Sequence, residues 1–484
     1  MPMTRIPLLL LSVLLSLSGF AGQTTLSGEC LNCKGMAIKL MAYDDLISYR
    51  EVILEQNTVE QNGAFSFSVN LEEVTYAWVQ VEDFRYDFYL SPDKGLQINF
   101  DLIWPNEEIE LPFRGTFNLI PDFLDSPGAK LNREISEVNA RIDAFMVAQY
   151  ELFMLRKATI VLGKKVEKFK HEMDSVYGNA TGFLAEHIEY SIANIELANS
   201  RKPEYLFKDY LKGRKMLYSN LEFMQFFQQF YAKSLSKLAT GERGTEFRKA
   251  FKLPEPDGAF QTLLADEPYM DDTERKQANY VKGLANLCGT GIYEQEKLVE
   301  MLKRFSEYSS NSDLGKVAKN LAWKHGRFME GQKAPEFYAR TVNGDLVSLK
   351  AFEGKPLLIE FSMVGNGLCE RETIILPSLM KEYPQYQIIS FMVNEVRSTV
   401  WDFTQKEGLD WPVVRIDRTS KILEDYDIRS IPRYILLGPT GEILKYQVTE
   451  PSRGLDKVLF EQKEKDKKGH SVGKKKSGFH DSNY

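Results

Sequence analysis

Two stretches near the C-terminal end constrain this chain more than any other feature. Pro356-Leu-Leu-Ile-Glu-Phe361 is an apolar run of strand length. It leads through Ser362-Met-Val-Gly-Asn-Gly-Leu to Cys369, at the head of a helical pattern. Further on comes Ser430-Ile-Pro432-Arg-Tyr-Ile-Leu-Leu, then a Gly-containing turn and Gly441-Glu-Ile-Leu444. A short apolar run bounded by turn residues predicts a buried strand. The order strand, turn, cysteine, helix, followed by Ile-Pro and two strands, predicts an α/β domain with a closing hairpin.

The flanking sequence extends that pattern. Gly331-Gln-Lys-Ala-Pro335 opens the region, and Thr341-Val-Asn-Gly-Asp-Leu-Val-Ser-Leu349 reads as a hairpin. Strands are expected at 357–361, 387–393, 434–437 and 443–446, with helices at 369–383 and 398–407. This arrangement resembles the thioredoxin fold, and most of all its TlpA/redoxin branch. Members of that branch carry Cys-x-x-Cys at the first turn. Here the turn reads Asn366-Gly-Leu-Cys369, with one thiol where the chemistry needs two.

Two alignments to the family compete. Matching Phe361 and Gly365 puts Asn366 in place of the attacking cysteine and makes Cys369 the inner one. Asn366 would then be a good N-cap, keeping structure while removing reactivity. Matching Pro377 to the proline common in the family's first helix makes Cys369 the attacker and puts Glu372 in the resolving position. Three residues are then inserted in the loop, where insertion is cheap. Glu370 and Glu372 would oppose a lowered thiol pKa. The resemblance also implies that Ile431-Pro432 is a cis peptide facing the active turn, on a segment that pairs with an extended peptide. Arg433 stands where the family usually has a small or β-branched residue, which puts a charge beside that surface.

The rest of the chain fits a larger, multidomain protein. A length of 484 residues allows several domains. The net charge of −7 argues against a nucleic-acid partner. Arg5 followed by the apolar run Ile6–Leu17 and Gly19-Phe-Ala21 reads as a cleaved secretory signal over 1–22. Cys30 lies too far downstream for a lipidation site, and no other apolar run reaches the ~20 residues of a spanning helix. The expectation is an exported, periplasmic-type protein without a lipid anchor or transmembrane span.

Residues 23–116 alternate or run apolar at Met36–Tyr43, Ala64–Val69, Tyr76–Val81 and Leu96–Phe100, with Asn62-Gly63 as a hairpin signal. They predict an antiparallel β-sandwich-like domain, and resemble the β-rich domain that precedes thioredoxin domains in exported Bacteroidetes proteins. Residues 117–330 predict a central all-α domain. Leu131, Ile135, Val138, Ile142 and Phe145 form one stripe, with Ser126-Pro127 as its expected start. Phe223, Phe226, Phe227, Phe230 and Tyr231 form another, read as core. The thioredoxin-like domain spans 331–462, and a Lys-rich end at 463–484 is expected to be disordered.

Four cysteines are present: Cys30, Cys33, Cys288 and Cys369. Cys30-Leu-Asn-Cys33 is an intact Cys-x-x-Cys, but it lies between strands rather than at a helix N-terminus, where a thiolate is stabilised. A structural disulfide across a turn, or two unpaired thiols, is expected there, against redox activity or half a metal site. No second pair or histidine spacing completes a zinc site, and no cofactor is expected. Cys288 reads as a buried, inert thiol. Three functions follow. The first is an envelope thioredoxin-fold protein without dithiol catalysis that binds a protein or extended peptide at the Pro432 surface. The second is an oxidoreductase using Cys369 alone or with Cys30 or Cys33. The third is a surface protein whose other domains bind a polymer or partner. Oligomeric state is not legible in the sequence.

Overall fold

The computed structural model describes residues 22–103, 116–154, 159–253, 255–394 and 396–476. The expected leader therefore lies almost wholly outside the described residues, as do 477–484. The chain forms two compact units, one from the residues through Ile103 and from Asn118 to Phe230, the other from Tyr231 onward.

Among the described residues, nine strands precede the first helix: β1 (Gly22–Glu29), β2 (Ala37–Tyr43), β3 (Glu51–Thr58), β4 (Ala64–Leu71), β5 (Thr75–Val81), β6 (Phe84–Leu90), β7 (Leu96–Asn99), β8 (Phe117–Leu119) and β9 (Asp122–Phe123). They make two sheets, ordered β4-β1-β7-β9 and β3-β2-β5-β6-β8. Phe100, just past β7, stacks on Tyr86 of β6 at 4.2 Å and tilts against Phe65 of β4 at 5.5 Å. Both sheets thus contribute to one aromatic layer.

Two sequence expectations are corrected here. The sheets are not purely antiparallel, because Leu26–Glu29 of β1 run parallel to Leu96–Asn99 of β7. Parallel pairing needs a long crossover, and the excursion through β2–β6 supplies it. Asn62-Gly63 does not close a two-residue hairpin, since β3 and β4 belong to different sheets. Gly63, at φ 91°, instead turns the chain from one sheet to the other, with the Asn62 side chain accepting from the Ala64 N–H at 2.8 Å.

Six helices complete this unit: α1 (Ala129–Ala148), α2 (Tyr150–Met154), α3 (Thr159–Tyr177), α4 (Phe183–Ala198), α5 (Pro203–Tyr210) and α6 (Leu221–Phe230). Helix α1 starts later than Ser126-Pro127 suggests, with Gly128 at its cap. The Ser126 hydroxyl accepts instead from the Gln97 N–H in β7 at 3.1 Å, so a strand edge takes the capping group. Asn132 ties α1 to β6. Its Oδ1 accepts from the Tyr89 N–H at 2.7 Å and its Nδ2 donates to the Tyr89 carbonyl at 2.8 Å. Ile135 and Val138 then share a core with Tyr89 and with Leu162, Val166 and Ile188 of α3 and α4.

The expected single helical domain over 117–330 is therefore divided. Helices α7 (Ser234–Thr240), α8 (Gly244–Lys252), α9 (Asp257–Ala265), α10 (Thr273–Leu287), α11 (Gln295–Tyr308) and α12 (Ser312–Gly326) belong to the second unit. On α11 the apolar stripe of Leu298, Met301, Leu302 and Phe305 is buried. Just past α12, Phe328 stacks on Tyr446 at 4.1 Å, within the same unit as the C-terminal domain.

That domain has a hairpin, β10 (Tyr338–Arg340) and β11 (Leu346–Ser348), and a five-stranded sheet. In chain order the sheet elements are β12 (Leu357–Met363), α13 (Gly367–Glu382), β13 (Gln387–Val393), α14 (Arg397–Lys406), β14 (Val413–Ile416), α15 (Lys421–Asp425), β15 (Arg433–Leu437) and β16 (Ile443–Val448). The spatial order is β14-β13-β12-β15-β16, with β12, β13 and β14 parallel. Both crossovers step the same way, so right-handed connections put α13 and α14 on one face. Leu376 and Leu379 of α13 pack there against Leu358, Tyr434 and Leu436. Phe361, Phe391, Ile435 and Leu437 face the other core.

A last helix, α16 (Leu455–Lys476), enters the stretch at 463–484 for which disorder is expected. Leu455 and Leu459 anchor its first turns in the core, and the following Lys and Glu residues are good helix formers. No helix among the described residues is long and apolar enough to cross a membrane.

Asn132→Ala would leave both main-chain groups of the buried Tyr89 without their side-chain partner. The expected loss is about 2–3 kcal/mol of unfolding free energy, read by urea denaturation.

Candidate functional site

Strand β12 positions the site. It is the middle strand, paired parallel to β13 and antiparallel to β15, with Phe361 opposite both Phe391 and Arg433. The chain then leaves β12 at Met363, and Gly365 adopts φ 95°, which suits a residue without Cβ. Asn366 follows as the N-cap of α13. Its Oδ1 accepts from the N–H groups of Leu368 and Cys369, each at 3.1 Å. Glu370 reaches back to accept from the Gly365 N–H at 2.8 Å. Two of the free donors at this helix start, those of Leu368 and Cys369, are thus met by the N-cap side chain.

Cys369 sits in the first turn of α13 and is fully buried. Burial pushes its thiol pKa up, and hydrogen bonding from the Met363 main chain and the Ser362 hydroxyl opposes that only in part. The nearby Glu360 carboxyl adds to the rise. Gly365, Asn366, Gly367 and Leu368 are exposed instead. Asn366 is therefore exposed at the turn, and Cys369 is buried beneath it. Glu372 is buried and accepts from the Ser452 N–H and hydroxyl at 2.9 and 2.5 Å.

The Ile431-Pro432 peptide is cis. Because Arg433 lies opposite Phe361, Pro432 sits beside the C-terminal end of β12, the end that leads into the Asn366 turn. Ile431, Pro432 and Arg433 are half-buried. Among the described residues, the main-chain N–H and C=O of Ile431 make no hydrogen bond. A half-buried main-chain pair left open is one that an extended segment can complete.

Glu360 is a residue that the sequence reading passed over. It lies on β12, wholly buried, and accepts from Thr373 at 2.6 Å, Ser390 at 2.5 Å and Tyr434 at 3.2 Å. The Trp411 indole extends the network by donating to Ser390 at 2.9 Å. Burial pushes the Glu360 carboxyl up, against the lowering effect of its three donors. The signal was present as a single charge inside Leu357-Leu-Ile-Glu-Phe361, since a carboxylate is almost never fully buried unless partnered.

The other cysteines lie apart from this site. Cys30 and Cys33 form a disulfide with both residues fully buried, on the turn between β1 and β2. Asn32, between them, bonds the Leu102 main chain in both directions at 2.9 Å. Cys288 caps the end of α10 and is half-buried rather than buried. Its thiol is pushed up to about 12 by burial.

Comparison with known proteins adds the following. Residues 329–460 match the family model for Redoxin. A stretch of 117 residues, 24% of this chain, is 33% identical to a thiol-disulfide oxidoreductase ResA of Halalkalibacterium halodurans and covers 66% of it. The match thus spans just under two thirds of that relative's length. The ResA of Geobacillus thermodenitrificans is 30% identical over 120 residues, covering 67% of that protein and 24% of this chain. Among solved structures, the thioredoxin domain of a thiol-disulfide oxidoreductase from Bacteroides vulgatus is 26% identical, with a TM-score of 0.25, covering 28% of this chain and 96% of that one.

Two outcomes follow from the geometry. Cys369 should alkylate about ten-fold or more slowly than an unfolded control near pH 8, with iodoacetamide labelling read by mass spectrometry. The second concerns Glu360. A carboxyl held above its unfolded pKa binds its proton more tightly in the native state, so ionisation costs stability. That cost appears as pH rises above the unfolded carboxyl range of about 4.3 and grows toward the native pKa. The wild type should therefore lose stability relative to Glu360→Gln as pH is raised from about 4 to 7 in urea titrations. Parallel curves would mean that the three donors balance the burial.

Proposed function

Because the chain belongs to the redoxin family through residues 329–460, we propose that this domain has lost dithiol exchange and acts as a binding or assembly module of the cell envelope. The observation that carries this reading is the capped turn at α13. Asn366 occupies the exposed position with its amide oxygen committed to two helix N–H groups, while the remaining thiol, Cys369, is buried.

Thiol-disulfide exchange needs an accessible thiolate to attack and a second thiol to resolve the mixed disulfide. Asn366 can do neither. Cys369 lacks access, and burial favours its neutral form. Cys30 and Cys33 are paired with each other and buried, which speaks against their serving as the missing thiol. What the domain keeps is the peptide surface. The open main chain at Ile431, the adjoining Pro432 and exposed Leu368 suit an extended segment that adds a strand-like pairing at this edge. An exported location, with the leader at 1–22 removed, suits a buried disulfide.

The wild-type chain should leave insulin disulfides intact under conditions where a Cys-x-x-Cys thioredoxin reduces them. Asn366→Cys should add an exposed thiol one helical turn from Cys369, and mild oxidation should then remove two hydrogens as the pair closes. Turnover by the wild type, abolished by Cys369→Ser, would overturn the proposal in favour of a single-cysteine oxidoreductase.

A further inference from the structure

Arg433 opens β15 directly after Pro432 and is half-buried. Its guanidinium donates to the Ser430 hydroxyl at 2.9 Å, a neutral acceptor. No carboxylate pairs with it among the described residues. Two more guanidinium groups stand close by. Arg327 and Arg429 divide a single carboxylate, Asp427, at 2.9 and 2.8 Å. All three cations act on the Tyr446 hydroxyl, which donates to the Tyr426 carbonyl at 2.5 Å. Arg327 is held in place by the Trp323 and Phe328 rings at 4.0 and 4.6 Å.

The arrangement is therefore three positive charges around one negative charge. Arg433, two residues past Ile431 and directly after Pro432, is the one whose partner is uncharged. A guanidinium offers five donors in a rigid fork that matches a carboxylate in bidentate fashion. An extended segment pairing at Ile431 would bring its own side chains past Arg433. An acidic one would meet a fork already oriented by Ser430, while a basic one would meet excess positive charge.

We infer that the extended partner at the Pro432 surface carries a carboxylate and that Arg433 reads it, with Arg429 reinforcing the field. This rests on the peptide-binding reading above and adds the chemical class of the ligand. The carboxylate is either an Asp or Glu side chain or the C-terminus of the partner.

Selection of displayed random peptides on the immobilised full chain tests it, in one format with internal segments and in another with free C-termini. Enrichment of Asp or Glu at one position is expected in the first format if a side chain is read. Enrichment without acidic side chains in the second format alone identifies a terminal carboxylate. For a selected peptide, replacing its acidic residue by the amide, or blocking its C-terminus, should weaken binding about ten-fold or more by fluorescence anisotropy. Arg433→Gln should erase that preference while still binding the amide peptide, and Arg433→Lys should restore part of it. Thermal melting of both variants checks that they fold. Peptides that bind with no acidic preference would overturn this inference and leave the binding reading standing. No enrichment over the bare support would overturn both.

Discussion

The C-terminal domain depends on how β12 is paired. This strand lies between β13 and β15, so its register places every group of the site at once. Its last residues lead into the Asn366 turn. Phe361 sets Arg433, and with it Pro432, alongside. Glu360, one residue earlier, points to the opposite face and gathers Thr373, Ser390 and Tyr434. A slip of one residue would exchange those faces, putting the carboxylate into the aromatic core and Phe361 among hydroxyls. The large apolar set around Phe361 makes such a slip costly.

On that frame, a single side chain shapes the turn into α13. A helix start with free N–H groups and an exposed thiol favours a thiolate. In this chain the exposed position holds an amide that takes up two of those N–H groups, and Glu370 takes the one at Gly365. The same feature that stabilises a thiolate elsewhere is spent here on stabilising the helix. Cys369 is left to pack, hydrogen-bonded and buried, above a carboxyl that would disfavour its ionisation. The domain keeps the redoxin architecture, with Ile431 to Arg433 half-buried beside the turn.

The N-terminal unit follows another principle. Besides the aromatic layer between its sheets, Asn132 and the α1 stripe meet Tyr89 and tie the helices to β6. The aromatic run Phe223, Phe226 and Phe227, read as core, is fully buried in α6, with Tyr190 of α4 edge-on to Phe223 at 4.8 Å. That is why the helices between 117 and 330 divide between two units. A helix with one apolar face joins whichever partner offers a matching surface, and periodicity does not say which.

Part of the site was legible in the residues themselves. Asn366 as N-cap and the strand–helix order follow from local preferences, a polar cap and an apolar run, while the cis Ile431-Pro432 was implied by the resemblance to the thioredoxin fold. Those signals act over a few residues and survive without context. Strand β14 and helix α15 left too short a pattern to be read, and the parallel pairing of β1 with β7 joins segments far apart in the chain. That Cys369 is buried while Asn366 is exposed, that Glu360 finds three donors, and that Arg433 pairs with no carboxylate among the described residues were decided only in three dimensions. Each depends on which side chains from distant segments arrive at one place, and burial sets the cost of leaving a charge there unpaired. The sequence by itself determined most elements of the C-terminal domain and the missing second thiol; the tertiary structure decided which groups are buried and which stay exposed.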